Sequence, residues 1–489
     1  MKRKFVSLML ATAMTAAVLA GCGGDGGDGG NDGGSQPSDE GTSDETGSGD
    51  QQAPEDEGQT PSAGGGSVYL LNFKPESNDQ WQKLAETYTE QTGVSVTVLT
   101  AAEGTYSQTQ QAEMAKGDEA PTIFNIGNAT AAQTWNDYTM DLKDTALYEH
   151  LTDKSLVIEY DNKIAGIANC YECYGLIYNK TILNDYCTMD NAVVKSVEEI
   201  NSFEKLKAVA EDINGRIDEI NEQFGHELTE AFASAGLDDG SSWRFSGHLA
   251  GLALYYEFLD DNCDLVAGQP EIKGTYLDNY KNVWDLYIGT SAADPKTLTS
   301  GTYNAEAELG MGEAVFYQNG NWEYSALLDP ENGYLVTEED LGMMPIYFGV
   351  DDENMGLCVG TENYWAVNSQ VPQENIDATL AFLEWVITSD EGRDAITNGM
   401  GLSAPFDTFT GEFAPSNVFS QDSNAYMEAG KTSVAWSFNA TPNVDNWRKD
   451  LVAALVAYTE GTGDWEAVKT AFVDGWKNQW QLQQEAAEE

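Results

Sequence analysis

From Ser67 onward the chain alternates short apolar runs with longer amphipathic stretches. Val68–Phe73 (VYLLNF) has the mostly apolar pattern of a buried strand. Asn78–Thr92 then places Trp81, Leu84, Ala85 and Tyr88 at helical spacing, and Gly93 stops it. Val94, Val96 and Val98 alternate as a second strand. Tyr106–Lys116 predicts a helix closed by Gly117. Pro121 leads into a third strand, Thr122–Ile126, with Gly127-Asn128 as the turn behind it. The order β-α-β-α-β predicts an α/β fold built on a mostly parallel sheet covered by helices. Ligands of such sheets sit outside the strand C-terminal ends, so Phe73–Glu76 and Asn125–Asn128 are expected at the mouth of a site. Phe73, Glu76, Asn125 and Asn128 are binding candidates on that ground, although Asn is also favoured in turns for backbone reasons.

Further along, Ser196-Val-Glu-Glu199 reads as a capping box opening a helix through about Ile213. Phe245–Leu259, Tyr276–Ile288, Asp377–Thr388, Val444–Tyr458 and Trp465–Trp480 are further predicted helices. Ala314–Tyr317, Met343–Phe348 and Tyr364–Val367 have strand character. Ile167–Lys180 is dense in tyrosine, cysteine and aliphatic residues around a single acid, Glu172. Soluble proteins do not usually gather such residues on an open surface. The chain shows no internal repeat and no spanning segment beyond its N-terminus.

A length of 489 residues exceeds what one hydrophobic core serves, so two lobes are expected. The 81 acidic and 24 basic residues give a formal charge of −57, which repels phosphate backbones and excludes nucleic acid as a partner. Three histidines without metal-ligand spacing leave no zinc site, and no cofactor is called for. The N-terminus adds a location. Lys2, Arg3 and Lys4 precede an uncharged, mostly apolar run, Phe5–Ala20, as in an export signal over residues 1–21. Leu19-Ala20-Gly21-Cys22 resembles the lipobox of bacterial lipoproteins, in which the cysteine carries the lipid and anchors the protein to the outer face of the cytoplasmic membrane. The next stretch, through residue 66, is mostly Gly, Ser, Asp, Glu, Pro and Gln, without aromatic or basic residues. It is expected to be a disordered acidic tether.

Several motifs, in order, carry a family resemblance. Ala120-Pro-Thr-Ile-Phe124 is similar to an A-P-D-[VI]-F motif, with Thr122 in place of the usual Asp. Glu172 followed by Gly175-Leu-Ile-Tyr-Asn-Lys180 resembles an E-x-x-x-L-x-Y-N-K crossover strand. Ser202-Phe-Glu-Lys-Leu206 resembles a T-[WF]-[DE]-E-L helix start. Gly312-Glu-Ala-Val-Phe, then Asn319-Gly-Asn-Trp322, resembles G-x-[AT]-A-M…G-x-W. Phe382-Leu-Glu-Trp, Ser389-Asp-Glu-Gly392 and Gly401-Leu-Ser-Ala-Pro405 resemble the closing F-L…S-x-E-G…G-x-x-P. Together they resemble the extracellular solute-binding proteins of carbohydrate ABC importers, over most of the chain after Ser67.

The resemblance implies a two-lobed, periplasmic-binding-protein-like fold of the class II type, with lobes discontinuous in sequence and joined by three hinge crossings. The crossings are expected at Ile167–Tyr174, Val359–Asn363 and Thr432–Ser437. Lobe 1 is then 67–170 plus 360–432, and lobe 2 is 171–359 plus 433–484. The resemblance also implies a monomeric, non-enzymatic receptor that closes over a sugar and hands it to the permease subunits of an importer. A sugar site needs polar side chains for hydroxyls and rings for flat C–H faces. Trp322 matches the family's stacking tryptophan, Glu172 a ligand-binding glutamate, and Trp243 with Arg244 an aromatic cleft loop. Glu362 and Tyr364 follow the second crossing, where Trp365 reads as core. Trp447 falls near a further stacking tryptophan. The Cys170-Tyr-Glu-Cys173 pair could signal redox chemistry or half a zinc site. No second pair exists, and the motif precedes a strand, so buried free thiols are expected among Cys170, Cys173, Cys187, Cys263 and Cys358. A glycosidase, or a same-fold receptor for a polyamine or peptide, remains the alternative.

Overall fold

The computed structural model describes residues 65–488 apart from 102–104, 155, 239, 266–267, 299–303, 362–363 and 416. The predicted export signal, Cys22, nearly all of the tether and Glu362 lie outside the described residues.

Eleven strands among the described residues form two sheets, and the fold is the two-lobed α/β arrangement. The first sheet has the order β2-β1-β3-β10-β5-β4. Its strands are β1 (Ser67–Asn72), β2 (Ser95–Thr100), β3 (Ile123–Ile126), β4 (Val157–Tyr160), β5 (Lys163–Ala168) and β10 (Tyr364–Val367). β1 pairs in parallel with β2 and with β3, as the β-α-β-α-β pattern predicts. β10 then joins β3 and β5 by antiparallel pairing. The second sheet runs β11-β9-β6-β7, with β8 pairing to β6 beside β9. Its strands are β6 (Glu172–Asn179), β7 (Phe316–Gly320), β8 (Leu341–Met344), β9 (Met355–Gly360) and β11 (Thr432–Ala435).

The helices follow the apolar spacing. Asn78–Thr92 buries Trp81, Leu84, Ala85 and Tyr88 on the first sheet. Val444–Thr459 packs along Trp465–Glu488, which is longer than the predicted Trp465–Trp480. The helix expected from Ser196 is displaced. Val197–Glu199 is a single 3₁₀ turn, and the helix spans Phe203–Gly215. Ser202 accepts the Lys205 N–H there and so supplies the cap. Phe245–Leu259 is helical but begins with a π turn, Arg244–Leu249, before the α-helix Ala250–Asp261.

Core membership shows where the chain changes lobes. Cys170 belongs to the first lobe's core, whereas Tyr171 and Cys173 pack into the second. β5 and β6 are therefore separate strands in different sheets, with 169–171 between them. β9 ends at Gly360 in the second sheet and β10 begins at Tyr364 in the first. The third passage differs from the expected Thr432–Ser437. Phe413 is in the first core, but Phe419 is in the second, and the helix Val418–Glu428 packs on β8, β6 and β9. The chain thus returns between Phe413 and Val418, and β11 already belongs to the second lobe, as the edge strand of its sheet. This helix has a modest, polar-rich apolar face, which does not distinguish one sheet from the other in sequence.

Candidate functional site

The ends of β1 and β6 bring two opposite charges together. Lys74 follows β1 in the first lobe, and Glu172 opens β6 in the second. Lys74 Nζ donates to Glu172 Oε1 at 2.6 Å, with the Glu172 side chain wholly buried. The bridge therefore ties the lobes at the point where the chain first crosses. Glu76, at the rim, is 3.7 Å from the same amine and half-exposed.

A group of rings adjoins this bridge. The Lys74 amine is 5.5 Å from the centre of the Trp322 ring. Trp322 donates its indole N–H to Asn319 Oδ1 at 2.8 Å, which fixes the ring. That ring folds over Gly320, where a Cβ would lie 2.2 Å from it, so the Gly-Asn-Trp sequence needs its glycine. Trp243 lies 6.0 Å and Trp436 6.5 Å from Trp322 between ring centres. Trp436 rests on Gly360, the residue paired with Glu172 between β9 and β6. A Cβ on Gly360 would come within 2.7 Å of the indole. The His248 imidazole lies inside the group, stacked on Tyr174 at 4.0 Å and within 5.8 Å of Trp243, Trp322, Trp436 and Phe438. Burial holds its pKa well below the ordinary value, and Arg448, Arg244 and Lys74 add to the effect. His248 is thus a neutral packing element at neutral pH. The Arg244 guanidinium covers Trp243 at 4.3 Å.

Polar atoms complete the surface. Asn125, at the end of β3, is buried and opposite Trp365 of β10. Asn125 Oδ1, Asn169 Oδ1, Glu172 Oε2, Trp436 Nε1 and Ser437 Oγ are all buried and have no hydrogen-bond partner among the described residues. Native folds rarely leave such atoms unpaired. Here they gather at the lobe passages and the strand ends. Asn128 caps the helix Ala129–Thr134 by accepting the Ala131 N–H, and its Nδ2 donates to the Asn439 carbonyl of the other lobe at 3.3 Å.

Comparison with known proteins agrees with this geometry. The family described as bacterial extracellular solute-binding protein matches residues 83–409, more than half of the sequence. The chain belongs to that family. Its members bind solutes and do not transform them, so this binding protein is not a glycosidase. No curated protein sequence matches it. Among solved structures it is similar to the binding protein RafE in complex with raffinose, with a TM-score of 0.62 and 13% identity over 85% of this chain and 99% of the other. It is similar also to the GacH receptor of Streptomyces glaucescens, solved unliganded and with acarbose. There the TM-score is 0.61 and identity 16% over 85% and 98% of the two chains. The MalE domain of Bdellovibrio bacteriovorus bound to maltotriose gives 0.59 and 14% over 86% and 99%. At such identities the likeness establishes the fold alone.

The binding protein's structure brings Glu172, Trp322, Trp243, Arg244 and Glu76 to one place and sets Asn125 and Asn128 at its edge. It does not bring Trp447 there. That ring is buried between the two C-terminal helices, stacked edge-on to Phe472 and Trp476, with its N–H on the Phe472 carbonyl. Tyr364 is half-buried and packs into the first lobe beside Ile126 and Ala168. Trp365 is core, against Trp81 and Phe406, as expected. The five cysteines after Cys22 are free thiols, and all but Cys263 are buried. The CxxC is divided between two cores, Cys170 in one and Cys173 in the other. Burial pushes the Cys173 thiol far up, so it is a poor thiolate. Among the described residues no group of three His, Cys, Asp or Glu could hold a metal ion, and no helix is long and apolar enough to cross a membrane.

Sequence reasoning missed Lys74, Asn169, His248 and Trp436. The first two lie within stretches already singled out, Phe73–Glu76 and Ile167–Lys180. Trp436 lies within the segment taken for a hinge, which hid its role.

Proposed function

We propose that this binding protein is a lipid-anchored extracytoplasmic receptor that captures a neutral oligosaccharide by closure of its lobes and delivers it to the permease of an ABC importer. The observation that carries the reading is the junction itself. Trp243 and Trp322, backed by the buried Trp436, lie beside a donor–acceptor pair, Lys74 and Glu172, contributed by opposite lobes. Rings suit sugar C–H faces and the pair suits hydroxyls, while the bridged charges leave no net charge for an ion to match. The similar structures that hold raffinose, acarbose and maltotriose support the same class of ligand. In this reading one lobe is residues 67–170 with 364–413 and the other 171–361 with 418–488. Cys22 carries the lipid, and the acidic stretch behind it spaces the receptor from the membrane. The receptor works as a monomer, without a cofactor.

A thermal-shift screen of purified protein against neutral oligosaccharides, polyols, amino acids and polyamines tests the reading. The midpoint is expected to rise with concentration for neutral oligosaccharides alone. A rise with a polyamine and none with any sugar would overturn it. Replacing Cys22 by Ala is expected to abolish incorporation of labelled palmitate and to move the protein from the membrane to the soluble fraction.

A further inference from the structure

We propose that Glu306 and Glu323 are positioning residues: they share a proton behind the aromatic group and anchor a hydrogen-bonded chain through Tyr317 and Asn319 that holds the Trp322 ring, so that the receptor grips its ligand while the pair keeps its proton and loosens when the proton leaves. The proposal rests on the reading of Trp322 as a ring that touches ligand.

The chain has one direction, because an indole N–H can only donate. Trp322 donates to Asn319 Oδ1 at 2.8 Å, and the Gly320 N–H donates to the same oxygen at 2.9 Å. That orients the Asn319 amide, whose Nδ2 donates to the Tyr317 hydroxyl oxygen at 2.6 Å. The Tyr317 proton then goes to Glu323 Oε1, at 3.2 Å. Asn319, Tyr317 and Glu323 are all buried, so a broken link would leave a polar atom without water. Glu323 directly follows the ring it helps to hold, as the last residue of the turn Asn321–Glu323. Glu323 is also hydrogen-bonded to Glu306. Two carboxyl groups make that bond only when one of them carries a proton. Tyr334 donates to Glu306 Oε1 at 2.9 Å.

Burial raises the Glu323 carboxyl to about 7, with Arg244 opposing the rise and Glu306 adding to it. The shared proton therefore leaves near neutrality. Two bare carboxylates repel each other, and the acceptor that ends the chain moves with Glu323. The second negative charge also pulls on the Arg244 guanidinium, which covers Trp243 at 4.3 Å and lies 5.7 Å from the centre of the Tyr317 ring. Other titratable groups surround the chain. Lys74 lies over Trp322 and is bound to Glu172. Tyr324 follows Glu323 and bonds to Glu338. His248 is held neutral by burial. Glu308, on the same short helix as Glu306, is bound to Ser234 and neighbours Glu230. A ligand that needs Trp322 in place tightens the hold on the proton, so affinity falls as pH rises through about 7.

Nuclear magnetic resonance of protein carrying ¹⁵N-labelled tryptophan tests the chain without a ligand. The Trp322 indole signal is identified by its loss in Trp322→Phe. In wild type it is expected to shift with a midpoint between about pH 6 and about pH 8. Glu323→Gln keeps an acceptor for Tyr317 without a proton to lose, and is expected to abolish that midpoint. Tyr317→Phe cuts the chain, and is expected to speed exchange of the indole hydrogen about tenfold or more. Glu230→Gln, on the neighbouring acid pair, is expected to keep the wild-type midpoint. Calorimetric titration with raffinose, maltotriose and chitotriose supplies the second readout. Wild type is expected to bind at least one of them about 5- to 20-fold more weakly at about pH 8.5 than at about pH 5.5, and Glu323→Gln to flatten that difference. An indole signal that ignores pH in wild type, a midpoint that survives in Glu323→Gln, indole exchange unaltered in Tyr317→Phe, or equal affinity at both pH values would overturn the proposal while leaving the carbohydrate reading intact. A wild type that binds none of the three sugars would overturn the carbohydrate reading, and the indole signal would still decide the chain.

Discussion

Trp447 and Trp322 are the same residue type under different obligations. Trp447 is 1% exposed and fills the seam between the two C-terminal helices. Trp447→Ala is expected to cost about 3–5 kcal/mol of stability by the cavity it leaves. Trp322 is half-buried, with its indole N–H on Asn319 and its ring beside Lys74, Trp243 and His248. Trp322→Ala is expected to leave the melting point within a few degrees of wild type and to weaken sugar binding about tenfold or more. Calorimetry on both variants separates the roles, and equal loss of affinity in the two would return Trp447 to the site. The glycine before Trp322 and the motif around it made that ring legible in the sequence. Nothing local marked Trp447 as core, because its partners Phe472 and Trp476 come from a different helix. Thr122, the departure from the family's Asp, has a similar explanation. Its hydroxyl accepts the Tyr69 N–H at 3.0 Å and the Thr379 hydroxyl at 2.6 Å inside the first lobe. A neutral group that both gives and takes hydrogen bonds suits that position without burying a charge.

The short helix Ala305–Gly310 carries two acids that each meet another acid of the second lobe. Glu308 binds the Ser234 N–H and hydroxyl, and its neighbour Glu230 binds the Ser291 hydroxyl and the Ala292 N–H. Burial first, and then the charge of Glu308, pushes the Glu230 carboxyl up to about 8. Burial likewise raises Glu323 to about 7, where Glu306 adds to the rise and Arg244 opposes it. Both carboxyls bind protons more tightly in the folded chain than in the unfolded one. The stability they contribute is therefore fully present below pH of about 4.5 and is lost as pH rises toward about 8. The melting point is expected to fall between pH 5 and pH 9 in high salt, where general repulsion among surface acids is screened. Glu230→Gln fixes the neutral form and should flatten that slope. An unaltered slope would show that the pair holds no shared proton. Element existence was largely legible here. The β-α-β-α-β opening, the C-terminal helices and β10 follow from apolar spacing, and boundaries shifted where a better cap lay a few residues on, as at Ser202. Carboxyl pairing was not legible, because 81 acids offer no local clue to which two will meet.

For the whole molecule, the question is what holds two independently packed cores together when the covalent links between them are three short passages. The family resemblance placed the first passage near Glu172, but the partner that makes it a fastening, Lys74, is 98 residues away and belongs to the other lobe. Such a contact depends on how two sheets face each other, which periodicity does not encode. Two weaker ties flank it at the helix Ala129–Thr134: Asn128 to the Asn439 carbonyl, and Gln483 Nε2 to Thr130 Oγ1 at 2.8 Å. Of the three, only the bridge buries a charge. Lys74→Met would leave Glu172 unpaired in the closed arrangement, a cost of about 3–5 kcal/mol, whereas opening returns the carboxylate to water. Because every 1.4 kcal/mol is a factor of ten, that penalty shifts the balance toward the open form by about two to three and a half orders of magnitude. Small-angle scattering of the ligand-free protein is expected to show a larger radius of gyration for Lys74→Met than for wild type. In Lys74→Met/Glu172→Gln neither charge is left to strand, so compaction should be largely restored. A radius unchanged in the single variant would mean that the lobes are held by the rim contacts and the aromatic group, with the bridge reserved for the ligand's hydroxyls.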